Sequence, residues 1–385
     1  MRIVSAVIYP LKIPFKGEFR HNLHSRKYSD SIIIKLTSDQ GCCGYGEAIA
    51  RPYVTGETVE HCINQIQRFL RLYLLNKPLA ISTEHNCSNI LPQIHSFLSK
   101  LTPTGDLFAT RAATAALEVA LLDCFLKEDN LSFASLLPVK KSQVMYSAVI
   151  STGTTEQLEI IASKLKAMEM KYIKIKVSKK EDYHKVALIR DIVGPDVSLR
   201  IDANTAFEPQ STIEFINSIA AFNIDCIEQP IPRGNISALK KLKKNSTIPV
   251  MVDESLITID DARKLINEEA CDFFNIRISK CGGIYNSLQI AELAKKNNIK
   301  VQLGCHVGET AILSATGRHL AAYMEEIDFV EGSYSSHLLI EDISKEDITF
   351  GHAGIAKILS SPGLGIEVLD YQLAKYASQI ITLQD

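Results

Sequence analysis

The strongest constraint on this chain is a ladder of carboxylates that close short apolar runs at near-constant spacing. Asp202 ends Ser198-Leu-Arg-Ile-Asp202, Glu228 ends Cys226-Ile-Glu228, and Asp253 ends Pro249-Val-Met-Val-Asp253. Successive members stand 26 and 25 residues apart. That step holds one strand, one helix and two connections, which is the repeat of a (β/α) barrel, so each carboxylate falls at the carboxyl end of its own strand. One step earlier, Tyr172-Ile-Lys-Ile-Lys-Val177 carries Lys174 and Lys176. Strand side chains alternate with period two, so both lysines share one face, toward the barrel interior near its mouth. Any one of these charges alone would be read as a surface group; their common position sets them apart. Three hard oxygen ligands on a rigid rim suit Mg²⁺, or Mn²⁺ in its place, with room left for water and substrate.

The rest of the chain fits a barrel with a cap. From Val144 onward, short apolar runs alternate with amphipathic stretches; strand candidates are 144–149, 172–177, 198–202, 225–228, 249–253, 272–278, 299–303 and 328–331. Thr155–Met168 and Ile259–Glu268 are intervening helices. No glycine-rich turn follows Ile150, which argues against an open, doubly wound sheet. Before the barrel, 1–50 read as three strands, with Ser31–Leu36 turning at Asp39-Gln-Gly41 into Gly44-Tyr-Gly-Glu47, and 57–75 and 108–128 read as helices. The expected fold class is α/β: a modified (β/α)₇β TIM-type barrel over 140–364. An N-terminal α+β capping domain over 1–135 would be completed by the tail, 365–385.

Composition excludes several functions. A net charge of −2 gives no electrostatic basis for binding nucleic acid or an anionic membrane. No apolar run approaches a membrane span, and the N-terminus alternates like a strand rather than a signal peptide. The nine cysteines are odd in number and lack metal-like spacing, which suits reduced thiols and a cytoplasmic setting.

Two ammonium groups as close as Lys174 and Lys176, with a metal nearby, disfavour each other's charge and lower a lysine pKa toward that of a usable base. The metal gives the base its purpose: a proton beside a carboxylate is barely acidic until a cation stabilises the enediolate. Further candidates line the other strand ends. In Asn275-Ile-Arg-Ile-Ser-Lys280, an inward Asn275 brings Arg277 and Ser279 inward too, while Lys280 starts on the opposite face and reaches in only if the strand stops early. Arg277, always protonated, is a poor base and a good anion stabiliser. His306 follows the seventh strand and is a second acid/base candidate or a structural histidine. Glu331 ends the eighth strand as a substrate contact or an ion-pair partner; Asn204 lies just beyond Asp202. His24, in a polar loop with His21 and Arg26, and Tyr53, in the loop Arg51–Thr55, are candidate substrate contacts from the cap.

With these residues in hand, the chain resembles the enolase superfamily, in particular its muconate-lactonizing-enzyme (mandelate racemase/muconate cycloisomerase) subgroup, over nearly its whole length. The resemblance implies Lys176 as the base with Lys174 as its partner, and Asp202, Glu228 and Asp253 as the metal ligands. Aspartate as third ligand favours this subgroup over mandelate-racemase-like members. It also implies a small-molecule carboxylate substrate and a homo-oligomer. One position departs. The subgroup carries a second catalytic lysine 24 residues after the third ligand, and here that residue is Arg277. Lys280 aligns with a further lysine often found there. Two-base chemistry is thereby put in question. The leading expectation is a cycloisomerase-type isomerase with Lys174 and Arg277 stabilising the enediolate. The alternatives are a dehydratase acting on acid sugars or like o-succinylbenzoate synthase, and a racemase or epimerase of amino-acid derivatives with His306 or Lys280 as second base. A non-catalytic binding protein ranks below these.

Overall fold

The computed structural model describes residues 1–21, 24–79, 81, 89–101, 110–151 and 153–384. The cap opens with β1 (Ile3–Pro10), β2 (Pro14–His21), β3 (His24–Tyr28), β4 (Ile32–Ser38) and β5 (Cys43–Ala48). Helices α1 (Pro52–Thr55), α2 (Val59–Phe69), α3 (Ile90–Leu98) and α4 (Arg111–Glu128) follow. The run 57–75, read as one helix, ends in a π-helical turn over Leu70–Leu74; the start of 108–128 lies partly outside the described residues. Strands β1, β4 and β5 pair antiparallel in the three-strand order the sequence suggested. β5 lies directly on the backbone of α4: a Cβ at Gly46 would stand 1.8 Å from the Ala116 carbonyl oxygen, and one at Gly44 2.2 Å from that of Ala120. These glycines permit close packing rather than phosphate binding.

The barrel strands are β7 (Ala148–Ile150), β8 (Tyr172–Lys176), β9 (Ser198–Asp202), β10 (Ile224–Glu228), β11 (Val250–Val252), β12 (Phe273–Ile276), β13 (Lys300–Leu303) and β14 (Phe329–Val330). They pair in parallel in sequence order, and Ser147 N donates to Val330 O at 2.8 Å where the last strand meets the first. Between them run α5 (Thr155–Ala167), α6 (Tyr183–Val193), α7 (Pro209–Ile219), α8 (Ile236–Asn245), α9 (Ile259–Asn267), α10 (Ile278–Cys281), α11 (Ile284–Lys296) and α12 (Ala311–Tyr323). Thr154 and Thr258 start α5 and α9 with capping boxes closed by Gln157 and Asp261. Past the barrel come α13 (Ser335–Leu338), β15 (Ile355–Lys357), α14 (Asp370–Tyr376) and β16 (Ile381–Leu383), which pairs antiparallel with β1.

Several expectations need correction. The run 144–149 is two strands. β6 (Gln143–Met145) pairs antiparallel with β15, and the barrel strand begins only at Ala148. Continuous hydrophobicity hid the break, because both pieces are buried. The polar loop proposed around His21, His24 and Arg26 is the hairpin β2–β3; its charged residues hid a strand pair that no other strand joins among the described residues. The loop 51–55 is the single helical turn α1, started by Pro52 at its first position. The sixth strand stops at Ile276, and one turn of helix follows immediately.

The barrel floor is a small cluster of Cys226, Met251, Phe273 and Phe329. The Arg200 guanidinium lies 4.0 Å above the Phe329 ring and divides this apolar floor from the charged layer above.

Candidate active site

Register explains why the charges meet. Lys176 is paired with Asp202 across β8 and β9, and Asp202 with Glu228 across β9 and β10. Period two puts Lys174, then Arg200, one layer below them. Asp253 follows the end of β11, where Gln229 Oε1 accepts its backbone N–H at 2.9 Å. Asp202, Glu228 and Asp253 are all essentially inaccessible to solvent. Buried carboxylates this dense need compensation, and side-chain cations provide it.

Lys174 Nζ lies 3.1 Å from Asp202 Oδ2, 3.2 Å from Glu228 Oε2 and 2.9 Å from Glu331 Oε2. Lys176 Nζ donates to Asp202 Oδ2 at 3.0 Å and to Asn204 Oδ1 at 2.5 Å. Asn204 thus orients Lys176 here, and its backbone, at φ 41°, turns back so that its N–H donates to Asp202 Oδ1 at 3.1 Å. Arg277 bonds Asp253 Oδ2 and lies 3.5 Å from Glu228 Oε1. The early end of the sixth strand brings Lys280 in as well: its ammonium donates to Asp253 Oδ1 at 2.7 Å, Asp253 O at 2.7 Å and Asn275 O at 2.8 Å. Ser279 turns away, its hydroxyl accepting from Ile49 N of the cap at 3.1 Å.

The electrostatics follow from these contacts. Burial alone would lower Lys174, but Asp202, Glu228 and Glu331 outweigh it and hold the lysine well above its ordinary value. The mutual lowering expected of a lysine pair is therefore not what its surroundings impose on Lys174. Against burial, Lys174 and Lys176 keep Asp202 below the usual carboxylate range, and Arg277 and Lys280 do the same for Asp253. Glu228 is pushed up by burial, an effect Lys174 only partly offsets and Asp202, Glu331 and Asp253 reinforce. Burial next to Asp253 pushes Glu254 up to about 8.

A cavity of about 230 Å³ opens beside this cluster. Lys174, Lys176, Arg277 and Glu331 form one wall; Cys305, His306, Glu309, Tyr334 and His337 are among the residues of the others. A larger groove of about 450 Å³ on the flank, lined by residues such as Leu91, Tyr285 and Met324, carries none of these groups. His306 is buried, its Nε2 has no hydrogen-bond partner, and its backbone N–H donates to Glu309 Oε1 at 2.7 Å. Burial, then Arg277 and Arg51, hold its pKa well below the usual histidine value, so the ring is neutral at pH 7. Glu331 accepts from Arg200 at 3.0 Å as well as from Lys174, so it is an ion-pair partner as well as a cavity wall. Tyr53 is not among the cavity's lining residues, and the His24 side chain lies outside the described residues.

Other residues of the site were given no role from sequence. Arg200 bridges Glu331 and Ser147. Asn275 Nδ2 and Gln302 Nε2 donate to the two oxygens of Glu228 at 2.7 and 3.1 Å. A signal existed for Arg200: it stands two residues before Asp202 and so shares its face. Arg51 is buried, and its guanidinium ties Asp30 (2.7 Å) to Val307 O (2.8 Å), fastening the cap hairpin's base to the seventh barrel loop.

The donor set fits a divalent metal in kind: three buried carboxylates on consecutive strand ends. As they stand, no three such side chains among the described residues converge on one point, because Arg277 lies between Asp253 and Glu228 and Lys176 draws on Asp202.

Comparison with known proteins gives the family. Residues 3–138 match the mandelate racemase/muconate lactonizing enzyme N-terminal domain, and residues 158–372 the enolase C-terminal domain-like family. The chain belongs to the enolase superfamily, in its mandelate racemase/muconate lactonizing enzyme subgroup. It is 28% identical over 374 residues to the N-succinyl-L-Arg/Lys racemase of Bacillus cereus, covering 96% of each chain. The solved structure of that racemase covers all of both chains with a TM-score of 0.89. The L-Ala-D/L-Glu epimerase of Clostridium acetobutylicum is 29% identical, over 95% of this chain and 99% of its own. A dipeptide epimerase from Cytophaga hutchinsonii, solved with Mg and the dipeptide D-Ala-L-Val, superposes with a TM-score of 0.87 at 25% identity over 99% of this chain and all of its own. The protein is thus an enzyme of this superfamily. The cycloisomerase step draws no specific support from these relatives, whereas the racemase/epimerase alternative does. Among the described residues no helix is long and apolar enough to cross a membrane.

Proposed function

We propose that the enzyme moves the proton alpha to the carboxylate of an amino-acid derivative, as a racemase or epimerase, with Lys176 as the base on one face and His306 as the proton carrier on the other. The observation that carries the reading is the wall of the cavity: Lys176 stands there, held by Asp202 and Asn204, beside the buried carboxylates. Asp202, Glu228 and Asp253 would hold Mg²⁺, which supplies charge stabilisation at the substrate carboxylate. Lys174 and Arg277, both in the cavity wall, add positive charge where the enediolate develops. Arg277 stays protonated and cannot return a proton. His306 faces the same cavity from the seventh strand, three strands around the ring from the second, and its Nε2 is free of other bonds. Its neutral ring suits it to exchange one proton with a carbon centre. The racemase and epimerase relatives support the reaction class, and the dipeptide epimerase solved with Mg supports the metal.

A one-base reaction, cycloisomerisation or loss of water, is the second reading, favoured by the arginine opposite Lys176. Incubation with Mg²⁺ in D₂O against N-acyl amino acids, dipeptides, muconates and acid sugars separates them. Racemisation or epimerisation with solvent deuterium at the alpha carbon supports the first. An isomerised or dehydrated product from one face supports the second. No exchange with any carboxylate contradicts both.

A further inference from the structure

We propose that Arg277 is a displaceable counter-cation that competes with the divalent metal for Asp253 and Glu228, and that metal entry sends its guanidinium into the 230 Å³ cavity. The proposal rests on the metal reading above and concerns what this chain's own arginine does to it. Every oxygen of the three carboxylates already has a donor close by. Asn204 N and the two lysines serve Asp202, Asn275, Gln302 and Lys174 serve Glu228, and Lys280 and Arg277 serve Asp253. The ion pairs of Lys174, Lys176, Arg200, Arg277 and Lys280 fall on Asp202, Glu228, Asp253 and Glu331, so each of these carboxylates is already matched by resident cations. A further dication entering such a cluster without loss of a resident cation would leave buried positive charge uncompensated, which is costly.

The residents are not held equally. Lys280 has three acceptors at 2.7–2.8 Å and no exposure, and is fixed. Lys174 is anchored among three carboxylates. Arg277 bonds Asp253, reaches Glu228 only at 3.5 Å, and leaves its Nε buried without an acceptor. Like Lys174 it touches two proposed metal ligands and borders the cavity, but with fewer contacts and from the sixth strand. A short swing about its flexible stem frees Asp253 Oδ2, takes the guanidinium away from Glu228 Oε1, which keeps only the neutral Asn275 amide, and turns the fork toward the space where a substrate anion would sit. Metal and anionic substrate then favour each other's binding through this one side chain.

Calorimetric titration of MgCl₂ into chelator-stripped full-length protein tests this without turnover. Arg277→Gln is expected to bind Mg²⁺ about tenfold more tightly than the wild type, with Arg277→Lys, whose shorter arm reaches less far, in between. Metal binding in the wild type with unchanged or weaker binding in Arg277→Gln overturns the proposal and leaves the metal reading standing. Should Arg277→Gln fail to fold, Arg277→Lys carries the same comparison, and equal affinity to wild type overturns the proposal. Absence of Mg²⁺ binding in every folded variant, wild type included, contradicts the metal reading and the proposal with it.

Discussion

Two sets of buried acids in this molecule are satisfied in opposite ways. At the cap and its junction with the barrel, fixed backbone groups do most of the work. Glu47 accepts from Thr310 N and Leu313 N, Glu57 from Ala112 N, and Glu118 from Ile284 N and Tyr285 N. Burial, only partly offset by these bonds, pushes Glu47 and Glu57 up to about 7 and Glu118 up to about 8. At the barrel mouth, Asp202 and Asp253 are met by side-chain ammonium and guanidinium groups, Lys174 and Lys280 firmly held and Arg277 less so, that keep them low despite burial. An acid tied to amides at the start of a helix is part of the frame. An acid tied to movable cations can exchange them for a metal or release them to a substrate. The difference between the two sets separates structure from chemistry in one chain.

The largest expected effect lies on the exchangeable side. Lys176→Ala should lower the rate of alpha-proton exchange from the enantiomer whose proton faces Lys176 by about 10²–10⁴-fold, the usual span for a removed general base, while circular dichroism reports an intact fold. Asp202→Asn, which leaves Lys174 and Lys176 without their shared partner, should abolish Mg²⁺ binding by calorimetry and cost on the order of 3 kcal/mol in stability. Full metal affinity in that variant would break the contrast.

On the fixed side the signs reverse. Glu118→Ala leaves the Ile284 and Tyr285 amides unpaired and should cost about 1–3 kcal/mol in urea unfolding with little change in turnover per folded molecule. The pH dependence sharpens the point. The folded protein holds the Glu118 proton up to about 8, whereas the unfolded chain loses it near 4.5. Its contribution is therefore complete below the unfolded value and is lost as pH rises toward the folded one. Wild-type stability should fall between pH 5 and 8, and Glu118→Gln, which cannot ionise, should flatten that fall. A steeper curve for the variant would contradict the assignment. The smallest effect is a cap: Thr258→Ala removes the hydroxyl that accepts from Asp261 N at 3.1 Å and should cost about 1 kcal/mol, without touching activity.

Much of this was legible because strand periodicity is strict. The spacing of Asp202, Glu228 and Asp253 fixed their common height on the barrel, and the Lys174–Lys176 alternation fixed a shared face. What stayed hidden depends on where strands stop and what crosses between distant segments. Lys280 enters the cluster because β12 ends at Ile276 and α10 turns it inward, and alternation alone points it outward. Glu118 and Arg51 act across 166 and 256 residues of sequence, and nothing local in either segment marks them. The hairpin β2–β3 was missed because Lys16, Glu18, Arg20, Arg26 and Lys27 crowd it with charge and leave no regular apolar pattern.

The central claim is that Lys176 and His306 serve opposite faces of one carbon. The direct test is solvent deuterium uptake into each enantiomer of a turned-over substrate, measured separately for Lys176→Ala and His306→Asn. The account predicts that each variant loses conversion between enantiomers and keeps exchange with only one of them, and that the enantiomer retained differs between the two. Loss of exchange from both enantiomers in Lys176→Ala with none in His306→Asn would contradict it and leave Lys176 as the sole base.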